Sequence, residues 1–172
     1  MRNSSPWTWI PSLYFAEGLP YIAVTVLAIE IYMQLGLTDA EVTFYTSWLY
    51  LPWVIKPFWS PFLELYQTKH WWITAMELFL GAAFAGVVFT IHASWWLQGT
   101  ICFFWMIAFS SATHDVAADG LYMMGLEQHD QAFFVGIRSL FYRLSMVLGK
   151  GVLIMLAGVF QVMFRYQIRY SW

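Results

Sequence analysis

Charged residues are scarce in this sequence, and cysteine is nearly absent. Asp, Glu, Lys and Arg make up 10% of the 172 residues, whereas soluble domains contain roughly a quarter. The formal net charge of −2 provides no basic surface for a nucleic acid or an anionic membrane surface. The single cysteine, Cys102, excludes an internal disulfide and, in an apolar run, is expected to be a small core or lipid-facing residue.

Apolar and aromatic residues are abundant instead. Hydrophobic residues account for 60% of the chain and aromatic residues for 21%, including eleven tryptophans. Tryptophan and tyrosine rings favour the boundary between membrane and water. A soluble globule of this length could not bury so much apolar surface. The composition therefore predicts an all-α membrane protein whose main partner is the lipid bilayer.

Five segments are long and apolar enough to be membrane helices, since a bilayer core needs roughly 20 apolar residues per helix. The predicted helices cover about 10–32, 42–65, 71–91, 95–126 and 133–164. Their connections are short, so successive helices should be antiparallel neighbours. Prolines are frequent in the first two predicted helices and indicate kinks or discontinuities there.

The orientation of these helices follows from the distribution of Lys and Arg. The first predicted helix contains Glu17 and lacks a small-residue cleavage pattern, so we expect a retained span rather than a removable signal peptide. A cytoplasmic N-terminus places Lys69 and Arg138 on the inner side, in agreement with the positive-inside rule. Arg165 and Arg169 would then lie outside, so the excess of Lys and Arg on the inner side is small.

Ionisable residues inside the predicted helices are the most informative feature of the sequence. Charges within a membrane span are costly and mark a cavity, an ion path or an internal pair. Seven of them lie roughly 8–17 Å from the inner boundary at 1.5 Å rise per residue. They are Glu17, Lys56, Glu77, Asp115, Asp119, Arg138 and Arg143. We predict that they surround one water-accessible chamber.

Spacing within the helices suggests how the charges pair. Asp115 and Asp119 are four residues apart and share one helix face, whereas Arg138 and Arg143 are roughly 140° apart around their axis. Matching depths predicts the ion pairs Arg138–Asp119 and Arg143–Asp115. The two aspartates have either this structural role or a role in substrate or proton handling. Glu17, on a stripe of aromatic hydroxyl groups, is the first candidate for proton coupling, followed by Asp115 and Asp119.

Four motifs in register resemble a known family. They are 14–20 (YFAEGLP), 51–61 (LPWVIKPFWSP), 112–120 (ATHDVAADG) and 134–138 (FVGIR). They resemble the AmpG-type muropeptide permease branch of the major facilitator superfamily, to which acetyl-coenzyme A transporters are related. The resemblance implies a fold of two six-helix bundles around a central cavity, in the bacterial inner membrane. Members of the AmpG type import peptidoglycan fragments and use the proton gradient.

The resemblance extends to the loop after the second predicted helix, which occupies the place of the superfamily's loop signature. Ser60 stands where the signature prefers glycine, and Glu64 stands where it prefers aspartate. Lys69 retains the trailing base, whereas Leu65 and Gln67 replace an arginine and a glycine. The signature is therefore degenerate.

The chain matches only part of such a transporter. We expect residues 1–172 to form an incomplete N-terminal six-helix bundle, with 170–172 approaching a sixth span. Only five of the family's twelve helices would be present, so we expect the isolated chain not to transport.

The expected function is proton-coupled import of a muropeptide or similar solute, without catalytic residues, metal or cofactor. Aromatic rings supply flat faces and polar tips for a sugar-peptide, and a lysine either balances charge or contacts an anionic group. The predicted substrate-cavity residues are Tyr14, Tyr21, Tyr45, Lys56 and Trp59.

Two alternatives remain open. The spacing Asp115-x-x-x-Asp119 is typical of magnesium-dependent prenyl- or phosphotransferases embedded in membranes, but the following loop adds only Glu127 and Asp130 as further acids. The other alternative is a non-transporting relict.

Overall fold

The computed structural model describes residues 5–169, and from residue 153 onward it describes only some of the side chains. The described chain is almost entirely helical. Its elements are α1 (Pro6–Ile22), a π-helical turn (Ala23–Leu27), α2 (Ala28–Gln34), α3 (Asp39–Trp48), α4 (Leu51–Ile55), a 3-10 turn (Lys56–Phe58), α5 (Ser60–Leu65), α6 (Lys69–Thr90), α7 (Trp96–Gly125) and α8 (Gln128–Arg169). The all-α membrane class predicted from composition is confirmed.

Four helices in the described part of the chain are long and apolar enough to cross a membrane. They are Pro6–Gln34, Lys69–Thr90, Trp96–Gly125 and Gln128–Val152. The first, third and fourth predicted helices agree with them within a few residues. The fifth begins about five residues earlier than predicted, because the polar residues after 127 already belong to α8.

The first span continues through two prolines and a π-helical turn. Pro20 lacks a backbone N–H and its ring crowds the preceding turn, which makes a local change of hydrogen-bond register favourable. The turn follows three residues later at Ala23–Leu27. There, the Thr25 hydroxyl donates to the carbonyl of Tyr21 at 2.7 Å. The span therefore stays continuous from α1 to α2.

The segment predicted as the second helix, 42–65, contains discontinuities of the kind that its prolines indicated. The structure divides the segment into α3, α4, the 3-10 turn and α5, and each of the last three pieces has a proline at its first or second position. Pro52, Pro57 and Pro61 cannot donate the hydrogen bonds that would join the pieces. The division changes the direction of side chains on either side of every break.

Two helix pairs organise the packing. α6 and α7 form an antiparallel hairpin, and α1 packs along α8. The largest core cluster joins α2, α6 and α7 around Tyr32, whose hydroxyl lies 3.2 Å from the Thr100 hydroxyl. Cys102 is exposed on α7. The predicted approach to a sixth span at 170–172 lies outside the described residues, as do the side chains of Arg165 and Arg169.

Candidate functional site

A cavity of about 560 Å³ lies between α1, α4, the 3-10 turn, α7 and α8. Charged, aromatic and hydroxyl side chains line most of it, although the surrounding helices are apolar. The lining residues are Tyr14, Glu17, Tyr21, Trp53, Lys56, Ser111, Asp115, Asp119, Arg138, Ser139, Tyr142, Arg143 and Met146. Six of the seven ionisable residues predicted at one depth therefore face one chamber, and we call it the central cavity.

One side of the central cavity is a network around Asp119. Arg138 donates to Asp119 Oδ1 at 2.7 Å, and the Tyr14 hydroxyl donates to the same oxygen at 3.0 Å. Arg138 also donates to the Tyr14 hydroxyl at 3.1 Å. Its guanidinium lies 5.0 Å from the ring centre of Tyr14 and 5.1 Å from that of Tyr122. The network joins α1, α7 and α8, and it contains the Arg138–Asp119 pair expected from matching depths.

Asp115 is paired differently from the prediction. Its carboxylate accepts a hydrogen bond from the Lys56 ammonium group, and this pair joins the 3-10 turn to α7. The predicted Arg143–Asp115 pair is absent from the described residues. Arg143 follows Arg138 by five residues, roughly 140° around the axis of α8, so the two arginines do not contact the same part of α7 although both line the central cavity.

Glu17 is the most buried acid of the central cavity, with 9% of its surface exposed. Its Oε2 atom is buried and has no hydrogen-bond partner among the described residues. The charged groups of Asp115, Asp119 and Arg138 are its neighbours. Burying an ionised carboxylate without a hydrogen-bonded partner costs free energy, so this carboxyl group differs from the paired acids beside it.

The structure places some predicted substrate residues in the central cavity and others outside. Tyr14, Tyr21 and Lys56 line it. Tyr45 does not, and Trp59 packs instead against Phe109 with ring centres 5.3 Å apart. On an uninterrupted second helix, Tyr45, Lys56 and Trp59 would share one face. The proline breaks between them rotate the chain, and the spacing rule then fails.

Sequence reasoning missed several lining residues. Trp53 and Tyr142 face the central cavity, and Trp53 packs edge-on against Tyr21 with ring centres 5.3 Å apart. For Tyr142 the signal was present in the spacing, since it follows Arg138 by four residues within one continuous helix and such residues share a helix face. Trp53 and Lys56 belong to separate elements, so their spacing alone could not have identified Trp53.

The loop motif has a packing role in the structure. Ser60 begins α5, Glu64 is exposed, and Lys69 is buried. Lys69 donates to the carbonyl of Leu63 at 3.3 Å. A Cβ atom at Gly120 on α7 would lie 2.9 Å from Lys69 Cε, so the aliphatic part of the lysine side chain packs closely against α7. Glu64 and Lys69 are not paired.

Glu77, the remaining member of the predicted layer, lies elsewhere. It lines a second cavity of about 470 Å³ between α1, α6 and α7. Its Oε1 atom is 3.5 Å from Nε2 of His114, a buried residue on α7. Glu77 therefore belongs to a separate site, and the prediction of one chamber for all seven charges is wrong for this residue.

Comparison with known proteins gives a consistent result. The model of the BT1 family matches residues 15–171. The anhydromuropeptide permeases of Escherichia coli strain K12 and strain O157:H7 are each 27% identical to this chain over 150 residues. The match covers 84% of this chain and 30% of each permease, so the chain spans about a third of the length of these relatives. No solved structure matches the chain.

The family match covers nearly the whole chain and agrees with the resemblance found in the sequence motifs. The four membrane-length helices in the described part of the chain are consistent with the permease relatives. The chain belongs to the BT1 family.

Proposed function

We propose that the chain forms one wall of a membrane transporter, and that its central cavity binds an anhydromuropeptide or a similar sugar-peptide and moves it together with a proton. The observation that carries the proposal is the cavity itself, where six ionisable side chains from four elements meet between apolar helices. Such groups are costly in a membrane and face water-filled paths or solute sites. The permease relatives support a transport role.

The other lining residues suit a sugar-peptide. Tyr14, Tyr21, Trp53 and Tyr142 present aromatic faces, and the tyrosine hydroxyls add polar groups that can bond to sugar hydroxyls. A cavity of about 560 Å³ is within the size range of small-molecule sites. We further propose an inner-membrane location with a cytoplasmic N-terminus.

The proton is proposed to reside on Glu17. Asp115 and Asp119 each accept a hydrogen bond from a cation, which stabilises their ionised forms. Glu17 has no such bond, so protonation removes the cost of burying its charge. Asp115 remains the second candidate, since it lies next to Glu17 and its lysine partner could be displaced.

The test compares exchange with accumulation in proteoliposomes that contain a radiolabelled anhydromuropeptide and the complete transporter to which this chain contributes one wall, since the isolated chain is not expected to transport. Glu17→Gln should preserve exchange of the solute across the membrane and abolish its accumulation under a pH gradient. Glu30→Gln is the matched control, because Glu30 is on the same span and its carboxylate is bonded to Gln34 outside the central cavity. Accumulation by Glu17→Gln at the wild-type level would refute the assignment.

The enzyme alternative draws no support from this geometry. A magnesium site on Asp115 and Asp119 would need both carboxylates free, whereas each is bonded to a cation. A non-transporting relict would fail the exchange measurement with the wild-type protein.

A further inference from the structure

Four of the six ionisable residues in the central cavity neutralise one another. Lys56 is paired with Asp115, and Arg138 with Asp119. Glu17 and Arg143 remain. Among the described residues, Arg143 has no carboxylate within 4.0 Å, and no hydrogen bond from its guanidinium is formed. Among the cavity residues that the structure describes, Arg143 is therefore the cation without a paired carboxylate.

The position of Arg143 makes this cation available to a solute. Arg143 lies about 1.4 turns along α8 from Arg138, and the two side chains leave the helix roughly 140° apart around its axis. It is exposed, and it lines the cavity beside Tyr142 and Met146. A charged side chain inside a span is retained only where water or a partner stabilises it. Arg143 has no partner of this kind among the described residues, and the open cavity lies beside it.

We propose that Arg143 binds a carboxylate group of the transported solute and sets the preference of the central cavity for anionic solutes; this rests on the proposed transport function. A guanidinium group is planar and presents paired N–H donors that match the two oxygens of a carboxylate. Lys56 and Arg138 already donate to aspartates, and binding a solute there would require breaking an internal pair.

The charge balance links this site to Glu17. With Glu17 ionised, the acids and bases of the cavity cancel. With Glu17 protonated, one positive charge remains, and a solute carboxylate on Arg143 neutralises it. A proton and an anionic group therefore favour each other's binding. The titratable and charged groups that face the cavity from all its elements are Tyr14, Glu17, Tyr21, Lys56, Asp115, Asp119, Arg138, Tyr142 and Arg143.

The test uses two ligands that differ only in charge: an anhydromuropeptide with free carboxylates, and the same molecule with its carboxylates converted to amides. Binding of each to the complete transporter that contains this chain is measured by calorimetry in lipid nanodiscs. The wild-type protein should bind the acid at least about tenfold more tightly than the amide, as expected for a charge-assisted pair. Arg143→Gln should bind both ligands with the affinity that the wild type shows for the amide.

The controls separate recognition from folding. Arg143→Lys should keep part of the preference, because the charge remains while the paired donors are lost. Lys150→Gln removes a positive charge from the same helix outside the cavity lining, and should leave the preference unchanged. Unchanged binding of the amide by Arg143→Gln shows that the cavity is intact.

Several results would overturn the inference. Equal binding of acid and amide by the wild type would refute the anionic preference and leave the transport proposal standing. If Arg143→Gln still bound the acid more tightly than the amide, another residue would be responsible for the preference. If Arg143→Gln bound both ligands equally more weakly than the wild type, Arg143 would have a structural role. Absence of binding of either ligand to the wild type would remove the proposed function, and the inference with it.

Discussion

The contact between α1 and α8 depends on the absence of a side chain at Gly18. A Cβ atom at this position would lie 1.9 Å from Ser145 Oγ and 3.0 Å from the backbone oxygen of Tyr142. The serine hydroxyl can rotate, but the backbone oxygen moves only with its helix. Gly18→Ala must therefore push α1 away from α8, and overpacking of this kind costs about 1–3 kcal/mol. We expect a corresponding loss in the free energy of unfolding.

The assay is thermal unfolding in detergent, followed by intrinsic tryptophan fluorescence. Gly81→Ala is the matched control: Gly81 is also within a membrane helix, but a Cβ there meets no atom within 4 Å. Because alanine favours helix more than glycine does, the control should be neutral or stabilised by up to about 1 kcal/mol. The two substitutions are the same chemically and should have opposite effects.

A second substitution tests the cause directly. Ser145→Gly removes the side chain that a Cβ at Gly18 would overlap, leaving only the 3.0 Å approach to the Tyr142 oxygen. The double variant Gly18→Ala, Ser145→Gly should recover part of the stability lost by Gly18→Ala. If Gly18→Ala were as stable as Gly81→Ala, or if Ser145→Gly gave no recovery, the close packing of α1 on α8 would be refuted.

Three further predictions concern single interactions. Asp119→Asn should lower the free energy of unfolding by about 1 kcal/mol, because it leaves the Arg138 guanidinium without its anion. Adding Arg138→Gln should recover part of this loss in thermal unfolding. If the losses from the two substitutions simply added, the pairing would be contradicted. Gly36→Ala should cost about 1–2 kcal/mol in the same assay, since φ is 91° at this residue and the surrounding space is open. Hydrogen bonds from the Thr38 backbone and hydroxyl lower the pKa of Glu41 below its usual value. The stabilisation that these bonds give is therefore present above the usual pKa of Glu41 and is lost as the pH falls through its pKa in the folded state. Amide hydrogen exchange at the start of α3 should rise over that pH range in the wild type and not in Glu41→Gln.

Much of the fold followed from local sequence patterns. Hydropathy located the first span, α6, α7 and most of α8, because apolar length is what a bilayer selects. Depth along antiparallel helices also placed Arg138 opposite Asp119, a pair present in the structure. Both inferences need only the rise per residue of a helix, which every uninterrupted helix shares.

The sequence by itself therefore determined an all-α membrane protein with charged residues inside its helices, since hydropathy and helix rise are local properties. Only the tertiary structure decided which charges meet. The breaks at Pro52 and Pro57 set the direction of Lys56 toward Asp115 and excluded Trp59 from the cavity. The angle between segments on either side of a proline depends on what they pack against, so no spacing rule could supply it.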